Sequence, residues 1–479
     1  MGIRLFEHTS IAIRFEEDGE SIETNDLIIS STQKELFQKI NSKPFNNKKN
    51  SHCFIIKKQE KGLKLVADYC IGLDWLGNTG RYLYVEPKIN ALSTQKFVFQ
   101  SELNEEEIGK KKFSGEDKTF FELDYLQMLL QITSIPESES QIKDLITIDW
   151  EAKQIAIAQK EDRLTPFLVI RFLQTLKTIV RKGLKKKYYK VQENLNNRVK
   201  GRILVGQHIK QNIFKNKFTS TFCEYQQFDI DHTENRFLKK VLQFATSYVE
   251  SNKEVFGKNY VAIQNTIQYC RPSFELISNE VKDFELKHIK HNSFYKDYAT
   301  ALHLGKQLLK RFAYTITQTT QTTIDTPPFW IDMPRLFELY VYSKMIEANP
   351  SHKNEIVYQF STYGNELDIL VTKPNFQMII DVKYKLRYKD SHLHQDIRQV
   401  AGYARLNKVR NKLNRNDDTH IDCLIIYPDL QEGKTDFSLE AILQNRNKIG
   451  PYHKVYKLGV KLPQIDKNDG NIRPFSNNY

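Results

Sequence analysis

The stretch ELDILVTKPNFQMIIDVKYK, residues 366–385, decides how this chain is read. Two aliphatic, β-branched runs flank Pro374-Asn375, a pair that favours a turn, so the segment predicts a β-hairpin. A turn centred between Pro374 and Asn375 sets Asp368 opposite Asp381 and Glu366 opposite Lys383. Side chains alternate along a strand, so these four share one face of the sheet. Ile369, Val371, Met378, Ile380 and Val382 share the other, which predicts one buried side and one functional side. Directly opposed residues place their Cβ atoms about 4.5–5.5 Å apart, and like charges there destabilise the pair unless compensated. A divalent cation is such a compensator: two carboxylates give hard oxygen ligands and leave positions for water and phosphate. Lys383 beside them is placed to orient an attacking water or to stabilise charge on the phosphate.

The competing reading is a solvated edge hairpin. D/E-x-K recurs by chance in a chain that is 27% charged, and Glu151-Ala-Lys153 and Glu285-Leu-Lys287 are further instances. Two flanking features favour a site. In QDIRQVAGYARL, Gln399 and Tyr403 are four apart and share a helix face, from which they can face the carboxylates. In LFELYVYSKM, Glu338 lies on an amphipathic helix and can lend a further carboxylate. Taken singly, Tyr403 also reads as a core aromatic and Glu338 as a solvated helix charge. His392 and His394 lie nearby, but imidazole suits zinc, whereas the oxygen ligands already suit Mg²⁺.

Working outward, residues 329–460 read helix, strand, strand, turn, strand, a helix over about 395–411, and strand, the order of an α/β sandwich with a mixed sheet. Residues 461–479 form a polar tail. Residues 1–118 are β-rich and end in a charged linker. Residues 119–328 read as mainly helical. Thr165 is the expected N-cap of TPFLVIRFLQTLKTIVRKG, with Pro166 at its first position and Gly183 as its stop. A second helix begins near Asp231–Thr233, others lie around 280–315, and the Thr/Gln strip ending at Pro328 marks a boundary. The fold class is α+β and multidomain.

The 479 residues carry a formal charge of +13, which points to a polyanionic partner, nucleic acid first. RKGLKKKYYK (181–190) holds six basic residues and reads equally as a solvated helix face. KYKLRYK (383–389) and RLNKVRNKLNR (405–415) flank the hairpin without an acid. They nominate Lys385, Arg387, Lys389, Tyr403, Arg405 and Lys408 for sequence-independent DNA contact. Five scattered cysteines without a CxxC pair suit a reducing compartment. No apolar run approaches the ~18 residues of a membrane span. The expectation is a cytoplasmic protein without a membrane partner.

The order helix-Glu, Asp, D-x-K, Q-x-x-x-Y resembles that of PD-(D/E)XK nucleases. The chain is more closely similar to McrC, the nuclease subunit of McrBC-type 5-methylcytosine-specific restriction systems. The likeness rests on LFELYV (336–341), LDILV before IIDVKYK and the Q-x-x-x-Y helix. Upstream it includes YCIGLDWLGNTGRYLYVEPKI (69–89), whose end reads as a Pro-Lys-Ile strand, then RKGLKKKYY, KGRILVGQHI and FDIDHTENRFLKKVL. It spans about residues 65 to 460, and the longer N-terminal portion departs from it. The resemblance implies a Mg²⁺-dependent endonuclease of double-stranded DNA. Asp368 and Asp381 would hold the metal together with Val382, Lys383 would assist, and Gln399 and Glu338 would support. It also implies an McrB-type AAA+ GTPase ring as partner, which selects and translocates DNA, with the N-terminal domain docking on the ring. This chain has no GxxxxGK[ST] phosphate loop of its own. The alternatives are a non-catalytic activator or adaptor of such a ring that only binds DNA, and a stand-alone PD-(D/E)XK nuclease.

Overall fold

Alternating apolar residues make the first ninety residues β-rich. In a computed structural model, the described residues are 2–16, 27–46, 51–60, 62–91, 121–139, 141–158, 162–279, 296–312, 323–385, 391–415, 417 and 419–465. One N-terminal sheet has the order Leu27–Ile29, Ser10–Phe15, Leu63–Ala67, His52–Lys58, Lys43–Pro44. A second is built from β1 (Gly2–Phe6), β2 (Cys70–Trp75), β3 (Tyr82–Glu86), β4 (Ile146–Ile148) and β5 (Phe329–Asp332), ordered β1-β3-β2-β5-β4. Strand β5 comes from far along the chain and pairs antiparallel with both β2 and β4. Gly72 lets it approach: a Cβ there would stand 2.1 Å from the Phe329 carbonyl oxygen. The buried Trp330 of β5 donates its indole N–H to Asp74 at 2.8 Å, and Lys43 also binds that carboxylate.

This pairing moves the domain boundaries. The chain forms two compact units, residues 1–156 with 325–479, and residues 157–324. The expected breaks at 118/119 and 328/329 differ because β5 completes the N-terminal sheet and helix α1 (Tyr125–Ser134) packs on α2 (Met333–Ala348).

The second unit holds the expected helices Leu164–Lys182, Thr233–Ser251 and Lys296–Arg311, and one that was not expected, Tyr260–Cys270. Thr165 is not the N-cap of the first. It lies within the opening turn, where the buried Asp162 accepts from the Leu164 and Thr165 N–H groups at 3.1 and 3.2 Å. Gly183 does end that helix, at φ +90°. The region is less helical than its sequence suggests, because Lys187–Asn196, Ser220–Asp229 and Arg202–Ile203 form a three-stranded sheet. Residues 181–190 are therefore not one helix face. Tyr188 pairs across the strands with Phe228, ring centroids 4.5 Å apart.

In the first unit the C-terminal sheet has six strands: β6 (Ile356–Thr362), β7 (Asn365–Val371), β8 (Met378–Val382), β9 (Asp422–Pro428), β10 (Asn447–Lys448) and β11 (Val455–Val460). Their order is β6-β7-β8-β9-β11-β10, with β8, β9 and β11 parallel, so the sheet is mixed as expected. The helix expected over 395–411 is two, α3 (Ser391–Tyr403) and Asn407–Lys412. Apolar cover reaches both faces of the hairpin. Leu370 and Ile379, on the face expected to be functional, are fully buried in a core with Ile397, Val400 and Tyr403 of α3. A strand covered on both sides reads as a near-continuous apolar run, as in MIIDV. Among the described residues, no helix is long and apolar enough to cross a membrane.

Candidate active site

The register of the central hairpin is the one its sequence predicts. Ile369, Leu370 and Val371 pair with Ile380, Ile379 and Met378 around a short 3-10 turn at Pro374–Phe376. The paired ladder ends at Ile369 and Ile380, the residues next to Asp368 and Asp381. The strand β8 ends at Val382, so Asp381 is its last residue but one and Lys383 lies just beyond it.

Asp381 is fully buried. Lys383 Nζ stands 3.0 Å from its Oδ2 as an ion pair. Among the described residues neither Asp381 oxygen accepts a hydrogen bond. Asp368 Oδ2 accepts from the Val382 N–H at 2.7 Å. Val382 thus enters the site through its amide. Lys383 Nζ also donates to Gln399 Oε1 at 3.1 Å, Gln399 Nε2 donates to the Tyr403 hydroxyl at 3.0 Å, and that hydroxyl donates to the Glu366 carbonyl at 3.1 Å. Gln399 and Tyr403 therefore reach Lys383 and the Glu366 backbone from one side of α3. Tyr403 is only 8% exposed, and its ring packs in the core instead of presenting to DNA.

Buried acids crowd one another here. Burial, then the charges of Glu338 and Asp381, hold the Asp368 carboxyl well above its ordinary range, against Lys383 and the Val382 N–H. Asp381 is also shifted up by burial, with Lys383 opposing. Burial pushes Glu338 up to about 7, and Asp332 and Asp381 add to it. Its Oε1 is enclosed without a hydrogen-bond partner, so Glu338 is not a solvated helix charge. Burial alone would depress Lys383, but Asp381 and Asp368 outweigh it and the ammonium is held more firmly than usual.

No group of three or more His, Cys, Asp or Glu side chains set for a metal occurs among the described residues. The candidate donors are Asp368 and Asp381. A buried carboxylate with unused lone pairs beside a second acid fits a small hard cation that keeps several waters and takes one or two carboxylates.

Sequence reasoning missed Asp396. It is 4% exposed, and both its oxygens accept from Lys385 Nζ, at 2.9 and 2.8 Å. Its place three residues before Gln399 on the same helix face was the available signal. The pairing also engages Lys385, one of the residues nominated for DNA contact. Arg405 and Lys408 are exposed, with Lys408 5.7 Å above the Phe360 ring. Arg387 and Lys389 lie outside the described residues, as does Glu285-Leu-Lys287. Lys153 of the other chance motif sits over the Trp75 ring, 5.3 Å from its centroid. His394 Nδ1 bonds the Tyr452 hydroxyl at 2.7 Å.

An acid pair and a lysine at the end of a mixed sheet, braced by a Gln/Tyr helix, define a candidate hydrolytic centre. A family profile, "McrBC 5-methylcytosine restriction system component", matches residues 146–428. The chain belongs to this family, as its resemblance to McrC implied. Two solved structures from Thermococcus gammatolerans are similar to it. One is a half-complex of McrB AAA+ hexamers with bound McrC, at 13% identity over 96% of this chain and 94% of that one, TM-score 0.37. The other is the McrBC complex, at 12% identity over 73% of this chain and 88% of that one, TM-score 0.29. No curated protein is similar enough to count as a match.

Proposed function

We propose that this chain is the DNA-cutting, McrC-type subunit of its restriction system. In this reading it is a PD-(D/E)XK endonuclease that hydrolyses phosphodiesters of double-stranded DNA with Mg²⁺, and it stimulates and works with a GTP-driven AAA+ ring of the McrB type. The observation that carries the reading is the Asp381 carboxylate, buried with both oxygens free of hydrogen bonds beside a second acid and a lysine. Asp368 and Asp381 would hold the ion, with the Val382 main chain as a further contact. Such an ion, when bound, supplies positive charge to the phosphate and makes its water more acidic.

The rest falls to the chain's own residues. Lys383, kept protonated by the two acids, sets a cation beside the reacting phosphate and stabilises charge developing there. Gln399 holds that ammonium, and Tyr403 fixes Gln399 against the Glu366 carbonyl. Glu338 adds a buried carboxyl to the same field. Exposed Arg405 and Lys408 suit sequence-independent contact with DNA phosphates, together with Arg387 and Lys389. The N-terminal domain would dock on the ring, which would choose where to cut, in the cytoplasm.

The test is Asp381→Ala in the full chain, reconstituted with its AAA+ partner on methylated DNA. Cleavage is expected to fall by about 10³-fold or more while GTP turnover and complex formation persist. Cleavage at the wild-type rate would overturn the site. A wild-type chain that stimulates GTP turnover but never cuts would be an adaptor, and robust cutting without a partner would identify a stand-alone nuclease.

A further inference from the structure

Lys383 lies just past the paired end of β8, and something must hold its backbone. On one side its own N–H donates to the Ile426 carbonyl at 2.8 Å, and the Lys385 N–H donates to the Lys383 carbonyl at 2.8 Å. On the other side the support comes from the far end of the chain. Lys88 Nζ donates to the Tyr384 carbonyl at 2.9 Å and stands 4.2 Å from the centroid of the Tyr384 ring. A cation over an aromatic face is attracted by the ring's quadrupole, so one ammonium grips this residue twice. Glu7 braces the grip: its Oε2 accepts from the Lys88 N–H at 3.0 Å and lies 3.4 Å from the Tyr384 hydroxyl. Glu7 is 1% exposed and Tyr384 6%. The Pro-Lys-Ile segment, which read as a strand, is a short 3-10 turn at Lys88–Asn90 after β3, and this turn aims Lys88 across. Glu7 follows directly on β1, the neighbour of β3.

We propose that Lys88, braced by Glu7, is a positioning residue for Lys383, so that the N-terminal sheet sets the geometry of the C-terminal site. The role assigned to Lys383 rests on the nuclease reading, whereas the clamp on the adjacent Tyr384 is a property of this chain alone. A displacement of about 1 Å at a reacting group can cost on the order of 10²-fold in rate.

The experiment compares full-length wild type, Lys88→Met and Lys88→Arg by amide hydrogen exchange and by cleavage in the reconstituted complex. In Lys88→Met the Lys383 and Lys385 amides are expected to exchange at least about 10-fold faster, with β1 amides unchanged. Its cleavage kcat falls about 10–100-fold with KM within about 2-fold. Lys88→Arg, which can still reach the carbonyl and the ring, restores both. Should Lys88→Met not fold, Lys88→Gln removes the cation with a smaller change and is expected to show the same loosening. Wild-type exchange at Lys383 and Lys385 in the folded variant would overturn the clamp, as would equal loosening of β1, which marks a merely structural role. If those amides alone loosen and the wild-type chain never cuts, the clamp stands and the nuclease reading falls.

Discussion

Glu234 in the second unit and Asp381 in the first are equally enclosed, 1% and 0% exposed, yet their surroundings treat them in opposite ways. Both Glu234 oxygens are bonded, one to Lys185 Nζ at 2.8 Å and the other to Lys187 Nζ at 2.7 Å. Burial works against that carboxylate, but the two lysines win and hold it below its usual range. Asp381 has Lys383 as its ion-pair partner at 3.0 Å, with Lys385 acting on it as well, yet burial wins and its carboxyl is shifted up. An acid that serves only the fold has its lone pairs filled, because an unsatisfied buried charge is costly. Asp381, enclosed without that pair of bonds, is the acid proposed above to hold the ion.

The comparison can be broken by stability. Glu234→Ala leaves two ammonium groups facing a void and is expected to destabilise the chain by about 2–4 kcal/mol in urea unfolding, the lower end reflecting the partly exposed Lys187. Asp381→Asn should do the reverse in metal-free buffer. Removing a buried, crowded charge is expected to be neutral or stabilising by about 1 kcal/mol. A loss as large as that of Glu234→Ala would mean that Asp381 is a structural acid after all.

Glu7 sharpens the contrast through pH. Burial, offset by Lys88, raises its carboxyl from 4.5 to about 7. Its folded value lies above its unfolded one, so its contribution is fully present below about pH 4.5 and is lost as the pH rises through 7. A shift of this size corresponds to at most about 3 kcal/mol. Glu7→Gln, a neutral mimic, is expected to flatten unfolding free energy across that window, whereas an unchanged slope would assign the titration to another group.

The smallest effect belongs to the surface. Lys408→Ala is expected to weaken DNA binding by about 2–3-fold at low salt and to reduce the salt slope by roughly one ion. An undiminished slope would remove Lys408 from the DNA path.

The most local features were the most legible. Pro374-Asn375 set the register of the hairpin, and the four-residue spacing of Gln399 and Tyr403 put both on the site. The apolar face was read correctly, but the face read as functional also carries core, because one strand pair cannot reveal that Leu370 and Ile379 pack against α3. Residues 187–190 were lost to a helical reading, since their strand depends on pairing with residues 226–229. The contacts of Lys88 and Glu7 with Tyr384 span 296 and 377 residues, and no local pattern encodes them. The placement of β5 in the N-terminal sheet escaped for the same reason.

The most direct measurement is the binding of Mn²⁺, a spectroscopic stand-in for Mg²⁺, to the full-length chain by electron paramagnetic resonance. Wild type and Glu234→Gln are expected to take up one ion per chain at the same affinity, and Asp381→Asn to lose that ion. Undiminished binding by Asp381→Asn, or equal loss in Glu234→Gln, would contradict the claim that Asp381 is held open for a metal.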